Sequence, residues 1–138
     1  MRSIIYTFLA VCGLLFFTSC GSNEGSYHAA ENALDGGREF IDACLKGDFA
    51  KAKFYMIDDE QNKKYLQQIE ADYRKKDRNG RSQYREASIN ISEVADITEN
   101  ETIINYNNSF DKIGRKVKVI KQGGIWLVDL KYTFNPNL

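Results

Sequence analysis

The chain has 138 residues, of which 28% are charged, with 19 basic and 19 acidic side chains in balance. That length holds one ordinary core, and the charge balance excludes a nucleic-acid binder, which needs concentrated positive charge against phosphate. Three cysteines and one histidine give no ligand spacing for a metal and no cofactor motif.

Arg2 and the amino terminus open the chain with a small positive region. Ile4 to Phe17 follows as an apolar run. It is shorter than the roughly 20 residues of a spanning helix and has the layout of a cleaved signal. The run closes in Phe17-Thr18-Ser19-Cys20-Gly21. This segment resembles the bacterial lipoprotein signal, in which a dedicated peptidase cuts before the cysteine and the cysteine carries lipid. The resemblance implies a signal peptide over 1–19, acyl chains such as palmitate on Cys20, and membrane attachment through them. Each buried methylene contributes about 0.8 kcal/mol, so two or three chains on one residue anchor firmly where one does not. Gly21 is not the aspartate of inner-membrane retention, and Glu24 stands alone where surface-exported lipoproteins carry an acidic run. The expected location is the bacterial outer membrane, on the periplasmic side ahead of the cell surface. Residues 20–34 are expected to be the lipidated cysteine and a polar tether, and residues 35–138 the folded domain.

With Cys12 in the leader and Cys20 lipidated, Cys44 has no disulfide partner and reads as a small buried hydrophobe. His28 stands alone in the tether region, so no Cys-His pair is expected. A first helix is predicted from about Gly37 to Lys46, with Phe40, Ile41, Cys44 and Leu45 as its buried stripe. Gly36-Gly37 interrupts any earlier helical turn, at roughly 1 kcal/mol per glycine against alanine. Gly47 reads as its C-cap and Asp48 as the N-cap of a second helix over about 49–57. Asp58-Asp59 marks the start of a third, Glu60 to Lys76, striped by Leu66, Ile69 and Tyr73. Asn79-Gly80 is expected to terminate it. The basic run Arg74 to Arg85 reads as a solvated helix end, with anionic lipid headgroups as its rival partner.

The pattern then changes to a period of two. Ala87, Ile89, Ile91, Ala95 and Ile97 share one face of a long strand, and Glu93 falls on that face. Strands follow over Thr102–Phe110 and Arg115–Lys121. Gly123-Gly124 reads as a hairpin turn, and Ile125–Tyr132 as a last, central strand apolar on both sides. Helices followed by an antiparallel meander indicate an α+β fold. A strongly bent sheet wrapped around the third helix is the expected packing.

Gly37-Arg38-Glu39-Phe40 and Cys44-Leu45-Lys46-Gly47-Asp48-Phe49-Ala50-Lys51-Ala52 resemble the opening of small Bacteroidetes-type lipoproteins of unknown function. Gly123-Gly124-Ile125-Trp126-Leu127-Val128 is similar to their closing hairpin. These domains are grouped with the NTF2-like, cystatin-like α+β cone, and the resemblance covers roughly residues 35 to 132. It implies a cavity between a concave sheet and the helices, and a homodimer through the open sheet face. Relatives include isomerase-like and dehydratase-like enzymes, ligand binders and interaction domains, so fold alone does not choose a function.

An isomerase of this kind needs a carboxylate base and oxygen donors in an apolar cavity. Among Glu93, Asp58, Asp59, Tyr55, Tyr73 and Tyr106, Glu93 is the sharpest candidate and Asp58 with Tyr55 an alternative pair; a bulge that turns Val94 in and Glu93 out is the competing reading. Tyr55, Tyr73, Glu93 and Tyr106 are the candidate ligand-binding residues, and Asn105 to Asn108 offers amides to a sugar or a protein edge. No phosphate loop, hydrolase elbow or catalytic triad appears. The leading reading is a noncatalytic, lipid-anchored envelope protein that binds a protein partner or a small apolar ligand. A structural or immunity-like envelope protein without a cavity, and a small acid–base enzyme using Glu93, are the alternatives.

Overall fold

The computed structural model describes residues 26–135. The expected signal peptide and the lipidated Cys20 lie outside the described residues.

Helix α1 (Ala33–Lys46) begins where the Asn32 side chain accepts the Asp35 N–H at 2.9 Å. It ends at Gly47, whose φ of 75° places it in the left-handed region that closes helices. The helix thus starts before Gly37 and carries both glycines inside it. Contact with the sheet is the reason. A Cβ on Gly37 would collide with Ile104 Cδ1, and one on Gly36 would lie 3.2 Å from the Trp126 carbonyl. Close approach to the sheet offsets the propensity lost at these two positions. The buried face is Phe40, Ile41, Cys44 and Leu45, as the spacing predicts.

Helix α2 (Phe49–Phe54) is capped by Asp48, which accepts the Lys51 N–H at 2.9 Å. Helix α3 (Glu60–Lys75) is capped by Asp59, which accepts the Asn62 N–H at 2.7 Å. Asn79-Gly80 does not end the helical region. It lies in the first turn of α4 (Arg78–Arg85), capped by Asp77. This helix buries no residue fully, so it leaves no apolar stripe in the sequence.

Strands β1 (Ile89–Thr98), β2 (Glu101–Asn108), β3 (Arg115–Gln122) and β4 (Ile125–Asp129) form an antiparallel meander in chain order. Gly123 and Gly124, at φ 58° and 81°, make the tight β3–β4 turn. The strand predicted to reach Tyr132 stops at Asp129 and gives way to α5 (Leu130–Phe134). Asn62 takes the Leu130 N–H at 2.7 Å and Asp129 takes that of Lys131 at 3.1 Å, which withdraws both from a ladder.

The α+β class holds, but the cone does not. The sheet is open and not strongly curled, so the resemblance to the NTF2-like, cystatin-like lipoproteins is overturned with it. Two physical reasons are visible. The helix on the sheet is α1, which contacts all four strands, while α3 packs against α2 and α5. Strong sheet curvature is built with bulges, and the β2–β3 and β3–β4 registers run without one. Irregularities occur only between β1 and β2.

Nor is β4 central in this sheet. It is the last strand, and the segment Tyr55–Ile57 partly closes its outer edge: Val128 N–H donates to the Tyr55 carbonyl at 2.8 Å and Ile57 N–H to the Val128 carbonyl at 3.0 Å. That pairing satisfies the backbone of Val128, whose side chain is buried, while Ile125 stays 44% exposed. The core between α1 and the sheet centres on Phe40, Ile41, Ile104, Val117, Val119 and Val128.

Candidate functional site

A partly open cleft of about 530 Å³ lies between α1, the second half of α3, strands β2 and β3, and α5. Its floor is apolar because α1 turns Phe40, Ile41 and Leu45 toward it and α3 contributes Ile69. Cys44 lies in the same wall. Burial pushes its thiol far above the ordinary value, which keeps it protonated and inert.

The polar groups come from β2, β3 and the connection between them. Asn108 is buried, and its side-chain oxygen accepts the N–H groups of Phe110 at 3.0 Å and Asp111 at 3.1 Å. This Asx turn fixes the loop, where Lys112 takes a left-handed φ of 58°. The loop delivers Asp111 to Arg115. The guanidinium donates to both carboxylate oxygens, at 2.9 and 2.6 Å, and to the Ile113 carbonyl at 3.0 Å. The Arg115 hydrogen bonds hold the Asp111 carboxyl below the usual carboxylate range, and the same pairing raises Arg115.

Two tyrosines stand beside this pair. Tyr106 is opposite Arg115 in the β2–β3 register, and Tyr84 reaches the cleft from α4. Burial pushes both hydroxyls above the ordinary phenol value, Tyr106 by far the more. Among the described residues neither hydroxyl makes a hydrogen bond, whereas Tyr73 donates to the Lys46 carbonyl at 3.4 Å and accepts from Arg85 at 3.2 Å. Lys76 sits at the rim, its ammonium 4.8 Å from the Tyr84 ring centre and 5.7 Å from that of Phe110. No acid among the described residues pairs with it, since Asp72 bonds Lys75 and Asp111 bonds Arg115. The cleft therefore offers an apolar floor, two open phenolic donors and one ammonium.

The structure brings Tyr73 and Tyr106 of the sequence candidates into this cleft and leaves the others outside. Tyr55 donates to the His28 carbonyl at 2.8 Å, away from the cleft. Asp58 is exposed and pairs with Lys63 at 3.2 Å. Asp59 is a helix cap held by Lys131 at 2.7 Å. Glu93 does not face the apolar side of β1. The register slips between Ile91 and Glu93, leaving Ser92 as the extra residue, so Glu93 pairs with Asn105 and Val94 with buried Ile104. Asn105 donates to Glu93 and Asn90 to Asn107 on the outer face of the sheet. Only Asn108 of the asparagine run turns inward.

Strand alternation picks out Tyr106 and the basic run includes Lys76, but no pattern in the sequence marks Tyr84, Asp111 or Arg115. A helix without a stripe hides Tyr84. The Asp111–Arg115 spacing spans a loop, and no periodicity reports on a loop. Comparison of the chain with protein-family models, with curated proteins and with solved structures finds no match.

Proposed function

We propose that this chain is a noncatalytic, lipid-anchored envelope domain that holds a small amphipathic ligand in the cleft. The ligand has an apolar body and a head of acceptor oxygens. One observation carries the reading: the hydroxyls of Tyr84 and Tyr106 lack protein partners beside an apolar floor, while the neighbouring Asp111 and Arg115 satisfy each other. Neither hydroxyl oxygen is sealed from solvent, so each is open to donate to a ligand oxygen, at a net worth of about 0.5–1.5 kcal/mol per hydrogen bond. The rim ammonium of Lys76 suits a carboxylate or another anionic head. The volume is that of an ordinary small-molecule site. Anchoring through Cys20 would hold the domain at the bacterial outer membrane, with the periplasmic side as first choice. The acid–base enzyme reading is not carried forward, because Glu93 and Asp58 lie outside the cleft.

The test is direct binding of medium-chain carboxylic acids, with alkanes and alcohols of matched length as controls. Acids are expected to bind more tightly than alkanes, and Lys76→Ala and Tyr106→Phe to weaken them. Equal affinity for all three classes, or no effect of either substitution, overturns the reading. Metabolic labelling with palmitate tests the anchor separately, and label retained in Cys20→Ala would reject it.

A further inference from the structure

A second concave surface lies where the described chain begins. It is an open groove of about 990 Å³ between α2, the segment leading to α3 and the start of β4. Phe54 and Ile125 are 43% and 44% exposed in it, and Leu127 and Ile57 continue the apolar surface. Phe54 is not loosely displayed. Its ring packs against Tyr27 at 5.5 Å and Tyr55 at 5.0 Å between centres. Lys53 is exposed on the same wall and pairs with no acid among the described residues. The two acids of the groove, Asp58 and Asp59, are each paired with a lysine, Lys63 at 3.2 Å and Lys131 at 2.7 Å.

Ser26 lines this groove. Cys20 stands six residues earlier, and an extended chain spans at most about 3.6 Å per residue, so the groove lies within about 20 Å of the cysteine. We infer that this groove is a membrane-docking face, seated on the bilayer that holds the Cys20 lipid. The inference rests on the anchoring reading above. A lipid on Cys20 makes docking intramolecular, so a modest apolar surface is enough to keep the domain down. The chemistry fits the interface: aromatic rings and aliphatic tips enter the acyl boundary, while the lysine stem reaches back to headgroup phosphates. A protein partner would have to compete with a bilayer already tethered beside the groove.

The experiment uses the full-length chain, processed by its host and reconstituted in phosphatidylethanolamine–phosphatidylglycerol vesicles. Mass spectrometry first establishes the acyl groups on Cys20; their absence overturns the anchor and the docking with it. Spin labels are then placed by Phe54→Cys, Ile125→Cys and, as control, Ile113→Cys. Ile113 is 58% exposed and does not line the groove, and Cys44 is buried. Docking predicts a severalfold loss of accessibility to a water-soluble relaxant at 54 and 125 on vesicles, and none at 113. An acylated protein with equal accessibility at all three positions overturns the docking and leaves the anchor standing. Spin–spin broadening at 54 and 125 would identify a second copy as the occupant and overturn it as well.

Discussion

The side-chain oxygen of Asn62 accepts the backbone N–H of Leu130 at 2.7 Å, 68 residues away along the chain. The Asn62 amide nitrogen donates to Asp59 at 3.0 Å and Asp129 at 3.2 Å. One fully buried side chain thus joins the cap of α3 to the cap of α5 and fixes where β4 stops. Asn62→Leu leaves the Leu130 N–H without an acceptor and two carboxylates without a donor. A loss of about 2–4 kcal/mol is expected, read as a lower urea midpoint. Asn62→Asp should be worse near neutral pH, because it sets a third carboxylate beside two others.

Glycine at position 37 is required by space, which gives an inverted helix-propensity result. Gly37→Ala is favoured by about 1 kcal/mol in an isolated helix. In this protein the new methyl meets Ile104, and overpacking of that kind costs about 1–3 kcal/mol. Gly114→Ala is the control, since nothing lies within 4 Å of its Cβ position. The two terms net to a loss of up to about 2 kcal/mol for the first, and thermal unfolding should show a change within about 0.5 kcal/mol for the second. A Gly37→Ala protein stabilised by the full helix-propensity gain of about 1 kcal/mol would mean that α1 does not lie this close to β2.

Tyr106→Phe separates binding from folding. The hydroxyl has no protein partner to lose, so stability is expected to hold or rise slightly. Affinity for an amphipathic carboxylate should fall by up to about tenfold, the usual worth of one net hydrogen bond. A destabilised Tyr106→Phe domain would show that the hydroxyl is already satisfied in the fold.

Acid should unfold the domain through two identifiable pairs. Asp111 is lowered by its Arg115 hydrogen bonds first, and Asp59 by its Lys131 hydrogen bond first. Both contributions are complete above the unfolded carboxylate value of about 3.9 and vanish as pH falls through the lower folded values. Lys131 works in the opposite direction. Its folded value is raised, so its share is complete below about 10.5 and is lost at higher pH. Urea midpoints measured from about pH 7 down to pH 2.5 should therefore fall mainly below pH 4. The fall should be shallower in Asp111→Asn and Asp59→Asn, and an unchanged acid limb in both would leave these pairs without a stability role.

Cys44 should be unreactive in the folded protein. It is buried in α1 with a strongly raised thiol value, so a disulfide-exchange reagent at about pH 8 meets almost no thiolate. Modification should follow the unfolding rate and become fast in denaturant. Fast reaction under native conditions would mean that the cleft wall opens.

Local signals carried the reading wherever the physics is local. Gly47 closing a helix, Asp48 and Asp59 opening the next ones, and Gly123-Gly124 turning a hairpin each act within a few residues. The misses have non-local causes. Gly36 and Gly37 look like helix breakers until Ile104 and Trp126 are placed against them. Residues 130–134 read as strand until Asn62 claims the Leu130 N–H. Glu93 reads as inward until Ser92 is squeezed out of the ladder. The cone rests on a resemblance of short motifs, and the bent sheet on the order of helices before strands; which helix lies on a sheet is settled by which face has room. The same holds for the cleft: Tyr73 and Tyr106 were readable from their stripes, whereas Tyr84, Asp111 and Arg115 are assembled by a short polar helix and a loop.

The slipped register of β1 bears on how copies of the protein behave when crowded. Tyr55–Ile57 shields much of the last strand, while no described residue pairs with the free side of the first. Two irregularities, near Ser92 and again near Ile97, interrupt the register of that strand and bend its free side out of line. A neighbouring chain can match only a few consecutive amides there before the spacing fails. Molecules confined to a plane would collide edge to edge far more often than molecules in bulk. Under the proposed Cys20 anchor, the kinks would guard against fibril growth where such collisions are most frequent.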